Sequence, residues 1–556
     1  MTAAVARPAW LNRRSALDLG LILLAAAMTP LLFVALRHLG LPFGLRVVAM
    51  GEDYNWLLIL QSPNAVARAQ TFWSFNDRNP LSPWWYIAAR RLYADGANGP
   101  YLTRLLMGPL LGVSLYAAVR AVAMGRARGL ALGAAMLGAA WIIHTTPDEI
   151  AWNFIGALSL SLLCVAAYAA WIAGGRARVG WYGLSLALWY GAFATYGFQV
   201  GAVVGIGLLA LLHPPAGSAT PSRRIGSAVA ETLPYALIFG TFVLAWKTTQ
   251  NPVLAAYYGL DPSLLLRNLP ASLLAGLSPA RYGGYLAEAR AVLGGRALAL
   301  GVVFGLGAAL LHFWVLRRTA PATRRDAALV LAVAGGIVLP TLLIESMSGT
   351  WTVGTRWPMV DQGWLPLLWM GAAALLLALL PLPDGWRRAG LSAATGAVAA
   401  WLLVACLGYN HVQTRASAAE LALRREMTAL GRRVPAGTPF NFVVLAEEGV
   451  RLVTPDVMSY RVAPVWWPGR DFGLRLLQRN RPPEPDAGPW ARVILHEDRG
   501  EYLRIGDGVA PYPAVRILRF DGQRITVPSV VTEDDVRGYP VEWRRTAPLR
   551  QDPTIP

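Results

Sequence analysis

The sequence predicts an all-α polytopic membrane protein of about eleven spanning helices, followed by a soluble α/β domain. Three observations predict this fold class. Hydrophobic residues make up 55% of the 556 residues and the mean hydropathy is +0.41, which is more apolar surface than a soluble core of this length buries. Apolar runs long enough to cross ~30 Å of hydrocarbon recur along the chain. The basic residues lie between these runs, which is typical of a membrane protein rather than a nucleic-acid-binding one.

The first apolar run follows Arg13 and Arg14, and no small-residue cleavage pattern comes after it. We therefore predict a retained signal anchor with its N-terminus in the cytoplasm. Counting this one, apolar runs begin near Ala16, Tyr101, Gly129, Ile150, Trp181, Gln199, Gly226, Ala297, Ala327, Gly363 and Gly390.

The run from Trp181 to Leu212 decides the topology, because it could form one long tilted helix or two helices broken at Tyr196-Gly197. With two helices, every arginine cluster between spans falls on one side, and the short loops of the other side carry only Arg356. Merging them would move the last three clusters outside, against the insertion bias. We therefore predict eleven spans in a bacterial inner membrane, with a cytoplasmic N-terminus and a periplasmic tail.

Three long segments are predicted outside the membrane on the far side. The first outer loop, residues 40–100, contains two stretches, 54–73 and 83–95, that mix tryptophan and aliphatic residues with arginine and suit interfacial helices. A second loop covers about 248–296. The predicted domains are a transmembrane domain, 1–408, and an extracytoplasmic domain, 409–556.

The tail carries alternating patterns typical of strands at 440–445 and 514–518, after a predicted helix over 416–432. Its Trp466-Trp467 pair could stack on a sugar, but a role in the core of the domain is the favoured interpretation.

Two acidic pairs are candidates for chemistry on the outer face. Glu52 and Asp53 follow the first span, and Asp148 and Glu149 lie in the short outer loop after Pro147. Carboxylates beside lipid are costly unless they are paired or used. A solvated loop is the alternative for the first pair, and ordinary capping of a helix N-terminus is the alternative for the second.

Three cations share that face, contrary to the insertion bias. Arg356 lies in a short outer loop, Lys247 at the outer end of the seventh span, and Arg281 in the following loop. A cation near the outer headgroup layer suits an anionic lipid phosphate. The alternative for Arg356 is a snorkelling residue or an ion pair with Glu345 or Asp361.

Several other site classes lose support. The six histidines show no pair at metal-ligand spacing, and no Gly-x-Ser-x-Gly elbow, Walker loop or dinucleotide fingerprint occurs. Cys164 and Cys406 lie in apolar runs, so no disulfide is expected. Nothing indicates nucleic-acid recognition.

This arrangement resembles the C-type (GT-C) superfamily of polytopic glycosyltransferases, which use a polyprenyl-phosphate-linked sugar outside the cytoplasm. The resemblance covers the chain to about residue 408. It rests on Glu52-Asp53 in a long first outer loop with interfacial helices, Asp148-Glu149 in the next outer loop, about eleven spans and a terminal soluble domain.

The resemblance implies an inverting transfer of a hexosyl or pentosyl group. Asp53 would be the general base on an acceptor hydroxyl, and Glu52 would orient the acceptor. Arg356, with Lys247 or Arg281, would hold the departing lipid phosphate.

The resemblance also assigns a role to the second acidic pair. Asp148 and Glu149 would complete the acceptor site or bind a divalent cation. Metal dependence is left open, with Mg²⁺ or Mn²⁺ as the candidates and Asp53, Asp148 and Glu149 as their ligands.

The expected partners are the lipid bilayer, a polyprenyl-phosphate sugar donor and a glycan, lipid or protein acceptor. Two alternatives belong to other classes, namely a transporter or flippase of lipid-linked saccharides and a non-catalytic envelope-assembly scaffold. Transporters often carry ionisable residues at mid-membrane and show two related halves, whereas the spans here are nearly free of charge and show no repeat.

Overall fold

The computed structural model describes residues 13–45, 81, 99–145, 155–174, 179–196, 201–214, 220–249, 261–277, 282–317, 319–347, 364–434, 440–452, 466–467, 472–479, 493–496, 500–504, 508–512 and 515–552. The described residues of 1–43, 70–85 and 102–411 form one compact unit. Those of 44–69, 86–101 and 412–556 form a second.

Eleven helices in the described chain lie at the positions of the eleven predicted apolar runs. They are α1 (Arg13–His38), α2 (Gly99–Val122), α3 (Arg128–Ala140), α4 (Gly156–Ala173), α5 (Val179–Thr195), α6 (Ala202–Leu212), α7 (Pro221–Thr249), α10 (Gly295–Leu316), α11 (Arg324–Met347), α12 (Leu365–Leu379) and α13 (Asp384–Arg433). Seven are long and apolar enough to cross a membrane, and α3, α6 and α12 are shorter apolar helices. The eleventh, α5, has 17 residues. The predicted polytopic bundle is confirmed. Two further helices, α8 (Leu265–Leu277) and α9 (Gly283–Leu293), lie in the predicted second outer loop.

Side-chain contacts show the directions of the first spans. Asp18, near the start of α1, pairs with Arg128 at the start of α3, and the Thr29 hydroxyl donates to the Ala140 carbonyl at the end of α3. Therefore α1 and α3 run in the same direction. Tyr116, near the end of α2, also donates to Asp18, so α2 runs in the opposite direction.

The last spans join the same scheme. Arg126, between α2 and α3, pairs with Asp326 in the first turn of α11 at 3.1 Å, and Arg324 Nε donates to the Ala378 carbonyl in α12 at 2.7 Å. The start of α11 and the end of α12 therefore lie at the end of the bundle where α1 starts. We call this end, which carries Arg126, Arg128, Arg317, Arg324 and Arg388, the arginine-rich end.

The run from Trp181 to Leu212 forms two helices. The first, α5, ends immediately before Tyr196, as predicted, and the second, α6, begins at Ala202. Along α6, Gly201 lies against the Ile337 carbonyl of α11 and Gly205 against Ile337 and Val333. Going along α6, the contacted residues of α11 have falling numbers, so the two helices are antiparallel. Because α11 starts at the arginine-rich end, α6 ends there.

Contacts between α5 and α7 complete the alternation. Tyr182 donates to the Glu231 carbonyl at 2.8 Å, and Trp189 Nε1 donates to the Tyr235 carbonyl at 3.1 Å. Because residue numbers rise together along both helices, α5 and α7 are parallel. The reversal between them is made by α6.

The second unit is an α/β domain, as predicted. A four-stranded sheet has the order β2 (Phe472–Gln478), β1 (Phe440–Ala446), β6 (Val515–Phe520), β7 (Ile525–Thr526). The first three of these strands are parallel. The strand predictions at 440–445 and 514–518 are confirmed, and the two strands pair directly.

A second sheet has the order β5 (Gly508–Tyr512), β4 (Gly500–Arg504), β3 (Val493–His496), β9 (Val541–Arg544), and β8 (Val530–Val531) pairs with β10 (Leu549–Arg550). A shared core of apolar side chains includes Val443, Leu477, Leu495 and Ile517. This core holds the sheet faces together by removing apolar area from water.

A short helix, α14 (Glu533–Val536), follows β8 and is fixed by a capping box. The Asp535 carboxylate accepts hydrogen bonds from the Thr532 backbone N–H at 2.8 Å and its hydroxyl at 3.0 Å, and it pairs with Arg519. Burial raises the pKa of Asp535, but the Thr532 hydrogen bonds and the Arg519 charge outweigh it and hold the pKa below its usual value.

The predicted tail helix is not a separate element. Residues 416–432 belong to α13, which runs without a break for 50 residues from the last span. Trp466 and Trp467 are each 4% exposed, and Trp467 Nε1 donates to the Met427 carbonyl of α13 at 3.0 Å. The favoured core role of the tryptophan pair is confirmed.

Candidate active site at the end of the bundle

The seven residues predicted for the site cannot be placed atom by atom. Six of them, Glu52, Asp53, Asp148, Glu149, Arg281 and Arg356, lie outside the described residues, as do the predicted interfacial helices at 54–73 and 83–95. Lys247 belongs to the last turn of α7, and its side chain lies outside the described part.

The described helices show the end of the bundle from which the chain leaves before each of these segments. Both α1 and α3 run away from the arginine-rich end, and so do α7 and α11. The segment with Glu52 and Asp53 follows α1, the segment with Asp148 and Glu149 follows the 3₁₀ turn Ile142–Thr145 after α3, and the segment with Arg356 follows α11. All of these segments leave from one end of the bundle, which we call the opposite end.

A buried cation lies at the opposite end. Arg104, in the first turns of α2, is 3% exposed. Its Nη2 donates to the Tyr409 hydroxyl at 3.2 Å, and its Nη1 lies 3.5 Å from the His144 carbonyl. The guanidinium carbon is also 5.3 Å from the centre of the Tyr409 ring, a cation–π distance. Arg104 thus joins α2, the turn after α3, and α13.

The helix α9 packs closely against this cluster. The rings of Tyr285 and Tyr409 meet edge to face with centroids 5.1 Å apart. Gly408 makes the approach possible, because a Cβ there would overlap the Tyr285 backbone carbonyl. Two residues before Gly408, the Cys406 thiol donates to the Trp141 carbonyl at 3.2 Å. Cys164 and Cys406 are both buried free thiols.

The first residues after α1 are held by His411 of α13. Its Nδ1 lies 3.3 Å from the Pro42 carbonyl oxygen, and its Nε2 lies 3.4 Å from a Glu288 carboxylate oxygen of α9. Phe43 packs on the imidazole at 6.1 Å and stacks on Phe33 at 6.4 Å. The beginning of the first outer loop is therefore attached to α9 and α13.

Arg104 was missed by the sequence reasoning, although a signal was present. It stands a few residues inside the second span at the predicted outer end, contrary to the insertion bias, which is the argument applied to Arg356. Tyr409 carried no signal, because it lies 305 residues away from Arg104.

The sequence shows no metal-ligand spacing for His144 and His411, the two histidines at the opposite end. In the structure both contact aromatic rings: Phe33 lies edge-on to His144 with centroids 5.9 Å apart, and Phe43 lies against His411. Among the described residues, no three side chains of the metal-binding types converge. The proposed metal ligands Asp53, Asp148 and Glu149 are not among them.

Comparison with known proteins gives two solved structures. No family model and no curated protein matches the chain. Crystal structures of ArnT from Cupriavidus metallidurans, one bound to undecaprenyl phosphate and one in the apo state, are similar to 84% of this chain over 93% of theirs. The identities are 14% and 15%, and the TM-scores are 0.38 and 0.37.

Proposed function

We propose that this protein is a membrane glycosyltransferase that moves a sugar from a polyprenyl-phosphate donor to an acceptor on the non-cytoplasmic face. One observation carries the proposal. The described ends of α1, α3, α7 and α11 lead the segments with both acidic pairs, Lys247 and Arg356 away from the same end of the bundle. In this proposal, carboxylates for base catalysis and cations for a phosphate leaving group share one face.

The positive-inside rule supports the orientation. The arginine-rich end collects basic residues from the loops after α2, α10 and α12. Cytoplasmic loops carry an excess of arginine and lysine. The opposite end of the bundle, with the candidate active site, then faces the periplasm of a bacterial inner membrane.

The proposed reaction inverts the anomeric centre. The Asp53 carboxylate takes the proton of an acceptor hydroxyl while its oxygen attacks the anomeric carbon. The bond from that carbon to the phosphate oxygen breaks, and the electron pair stays on the lipid phosphate. Arg356, with Lys247 or Arg281, stabilises this charge. Phosphate is a good leaving group, so no general acid is needed.

The other acids have supporting roles in this proposal. Glu52 orients the acceptor hydroxyl. Asp148 and Glu149 complete the acceptor site, and together with Asp53 they offer oxygen ligands of the kind that Mg²⁺ or Mn²⁺ prefers.

Two described residues hold the chain close to these groups in sequence. Arg104 contacts the carbonyl of His144, a residue four positions before Asp148. His411 contacts the Pro42 carbonyl, at the start of the loop that carries Glu52 and Asp53. We assign Arg104 and His411 as positioning residues, because a displacement of about 1 Å in a catalytic group can cost about 100-fold in rate.

Three carboxylates of the described spans bear on the choice between an enzyme and a transporter. Asp18 and Asp326 pair with Arg128 and Arg126 close to the arginine-rich end. Glu231 lies near the middle of the apolar span Pro221–Leu244, where its carboxylate accepts a hydrogen bond from the Tyr168 hydroxyl at 2.5 Å. Because transporters hold ionisable groups near the bilayer midplane, the transfer assay is what separates the two classes.

The proposal is tested with purified protein in lipid nanodiscs, given radiolabelled polyprenyl-phosphate sugars and a delipidated envelope extract as the acceptor source. Asp53→Asn is expected to lower transfer by about 100-fold or more, since general-base groups contribute about 10²–10⁴-fold. Asp384→Asn is the matched control, because this carboxylate is 61% exposed at the arginine-rich end, and it should leave transfer unchanged.

Two results would contradict the proposal. Full transfer by Asp53→Asn would refute the base assignment. Translocation of the lipid-linked sugar across vesicles by a wild-type protein that transfers none of it would identify a flippase instead.

A further inference from the structure

An open cleft of about 650 Å³ runs along the part of α13 that belongs to the second unit. Its described lining comes from a single helix face, namely Ala418, Leu421, Arg424, Arg425, Thr428, Ala429 and Arg432. Three of these seven residues are arginines. Neither the acidic pairs nor the cluster at the opposite end contributes to this described lining.

The spacing of the arginines follows from the helix. Arg425 and Arg432 are seven residues apart, two turns, which places their Cα atoms about 10 Å apart on the same face. Arg424 stands beside them at the edge of that face. The positions between them carry the small side chains of Thr428 and Ala429, which leave the guanidinium groups accessible.

The three arginines have no protein partner among the described residues. None of their guanidinium groups makes a hydrogen bond or an ion pair there. Other arginines of the same unit are neutralised, with Arg519 on Asp535, Arg537 on Asp534 and Arg544 on Glu542. The cleft therefore carries three positive charges with space in front of them.

The opposite face of the same helix segment is fixed in the protein core. Leu423 and Met427 are fully buried, the Met427 carbonyl accepts a hydrogen bond from Trp467, and Gly431 lies directly against that indole. This anchoring determines which face is left for the cleft. The arginines are therefore presented on a rigid element.

The chemistry of the face indicates its ligand. A helix that binds a bilayer surface exposes large apolar side chains beside its cations, but Leu421 is the one large apolar residue in the described lining. Guanidinium groups bind carboxylate, phosphate and sulfate through paired N–H donors. An open cleft with guanidinium groups about 10 Å apart suits an extended chain that carries repeated anionic groups.

We propose that this cleft binds an anionic saccharide chain through Arg424, Arg425 and Arg432. The site adds a binding function to the second unit and does not depend on the proposed transferase activity.

The test uses the full-length protein in zwitterionic nanodiscs and fluorescent dextran sulfate as the probe, with neutral dextran of the same length as the reference ligand. The triple variant Arg424→Gln, Arg425→Gln, Arg432→Gln should weaken dextran sulfate binding at least tenfold, and glutamine preserves the helix. Wild-type binding should weaken as salt is raised, because salt screens the charges.

A matched control removes the same charge elsewhere in the unit. Arg479, Arg524 and Arg550 are exposed in the second unit, and their triple glutamine variant should change binding less than twofold. Circular dichroism of both variants verifies that α13 remains folded.

Three outcomes would overturn the proposal. They are equal losses in the two triple variants, which would mean non-specific charge attraction, unchanged binding in the cleft variant, or binding of neutral dextran as tight as that of dextran sulfate. Retention of phosphatidylglycerol by native mass spectrometry that depends on the cleft arginines, without dextran sulfate binding, would assign the cleft to lipid headgroups instead.

Discussion

The ion pair between Asp18 and Arg128 should hold the arginine-rich end of the bundle together. Asp18 is fully buried and Arg128 is 11% exposed. The guanidinium donates twice, from Nε at 2.7 Å and from Nη2 at 2.5 Å, and Tyr116 donates to the same carboxylate. This pair links α1, α2 and α3, so its loss should be felt by three spans.

The expected cost of Asp18→Asn follows from the burial of both partners. Removing one partner of a buried pair leaves the other charge uncompensated and costs about 3–5 kcal/mol. Because Arg128 retains a path to water, we expect a value near the lower limit. The double variant Asp18→Asn, Arg128→Met should be about 1–2 kcal/mol more stable than Asp18→Asn alone, because it also removes the charge that Asp18 balances.

Unfolding by SDS in mild-detergent micelles, followed by tryptophan fluorescence, measures these differences. Arg126→Gln is the control, since Arg126 is 56% exposed in its pair with Asp326 and an exposed pair contributes about 0–1 kcal/mol. The reasoning is refuted if Asp18→Asn costs no more than Arg126→Gln, or if the double variant is as unstable as the sum of the two single changes.

Three further predictions concern single positions. Gly408→Ala should destabilise the protein by about 1–3 kcal/mol, because the added methyl group would overpack against the α9 backbone. Gly307→Ala has open space around its Cβ and should stabilise the protein by about 0.5–1 kcal/mol. Thermal shift assays measure both changes, and equal effects would contradict the packing argument. His411→Asn should slow sugar transfer at least tenfold, because it removes the contact that holds the Pro42 carbonyl at the start of the first outer loop. His38 is exposed at the end of α1, so His38→Asn should leave the transfer rate unchanged. Equal rates in the two variants would contradict the positioning role of His411. The folded protein depresses the pKa of Asp535, so this carboxylate stabilises the fold above its unfolded pKa and loses that contribution as pH falls through its folded pKa. Asp535→Asn should therefore reduce the loss of unfolding free energy at acid pH. A plot of unfolding free energy against pH that runs parallel to that of the wild type would contradict this.

Much of the bundle could be predicted from the sequence because the bilayer restricts what a backbone can do. In hydrocarbon every backbone polar group must be satisfied internally, so each apolar run of sufficient length becomes a helix. Counting arginines then selected the break at Tyr196, which the structure confirms. The alternating strands of the tail were predictable for a similar reason, since side chains of a strand alternate between its faces.

The cluster at the opposite end could not be predicted in the same way. Arg104 and Tyr409 are 305 residues apart, and no local pattern encodes which helix faces another. The close approach at Gly408 likewise depends on the position of α9, because a glycine in an apolar run has several meanings until its neighbour is known.

Hydrophobic length and charge placement act locally along the chain, so they were enough to predict a polytopic membrane protein. The same local signals predict eleven alternating spans and one face for Glu52-Asp53, Asp148-Glu149 and Arg356. The side chains that cluster with Arg104, and the helix face of α13 that presents its arginines, became evident only from the folded chain. Burial and ion pairing depend on contacts between distant segments, and packing alone selects those contacts.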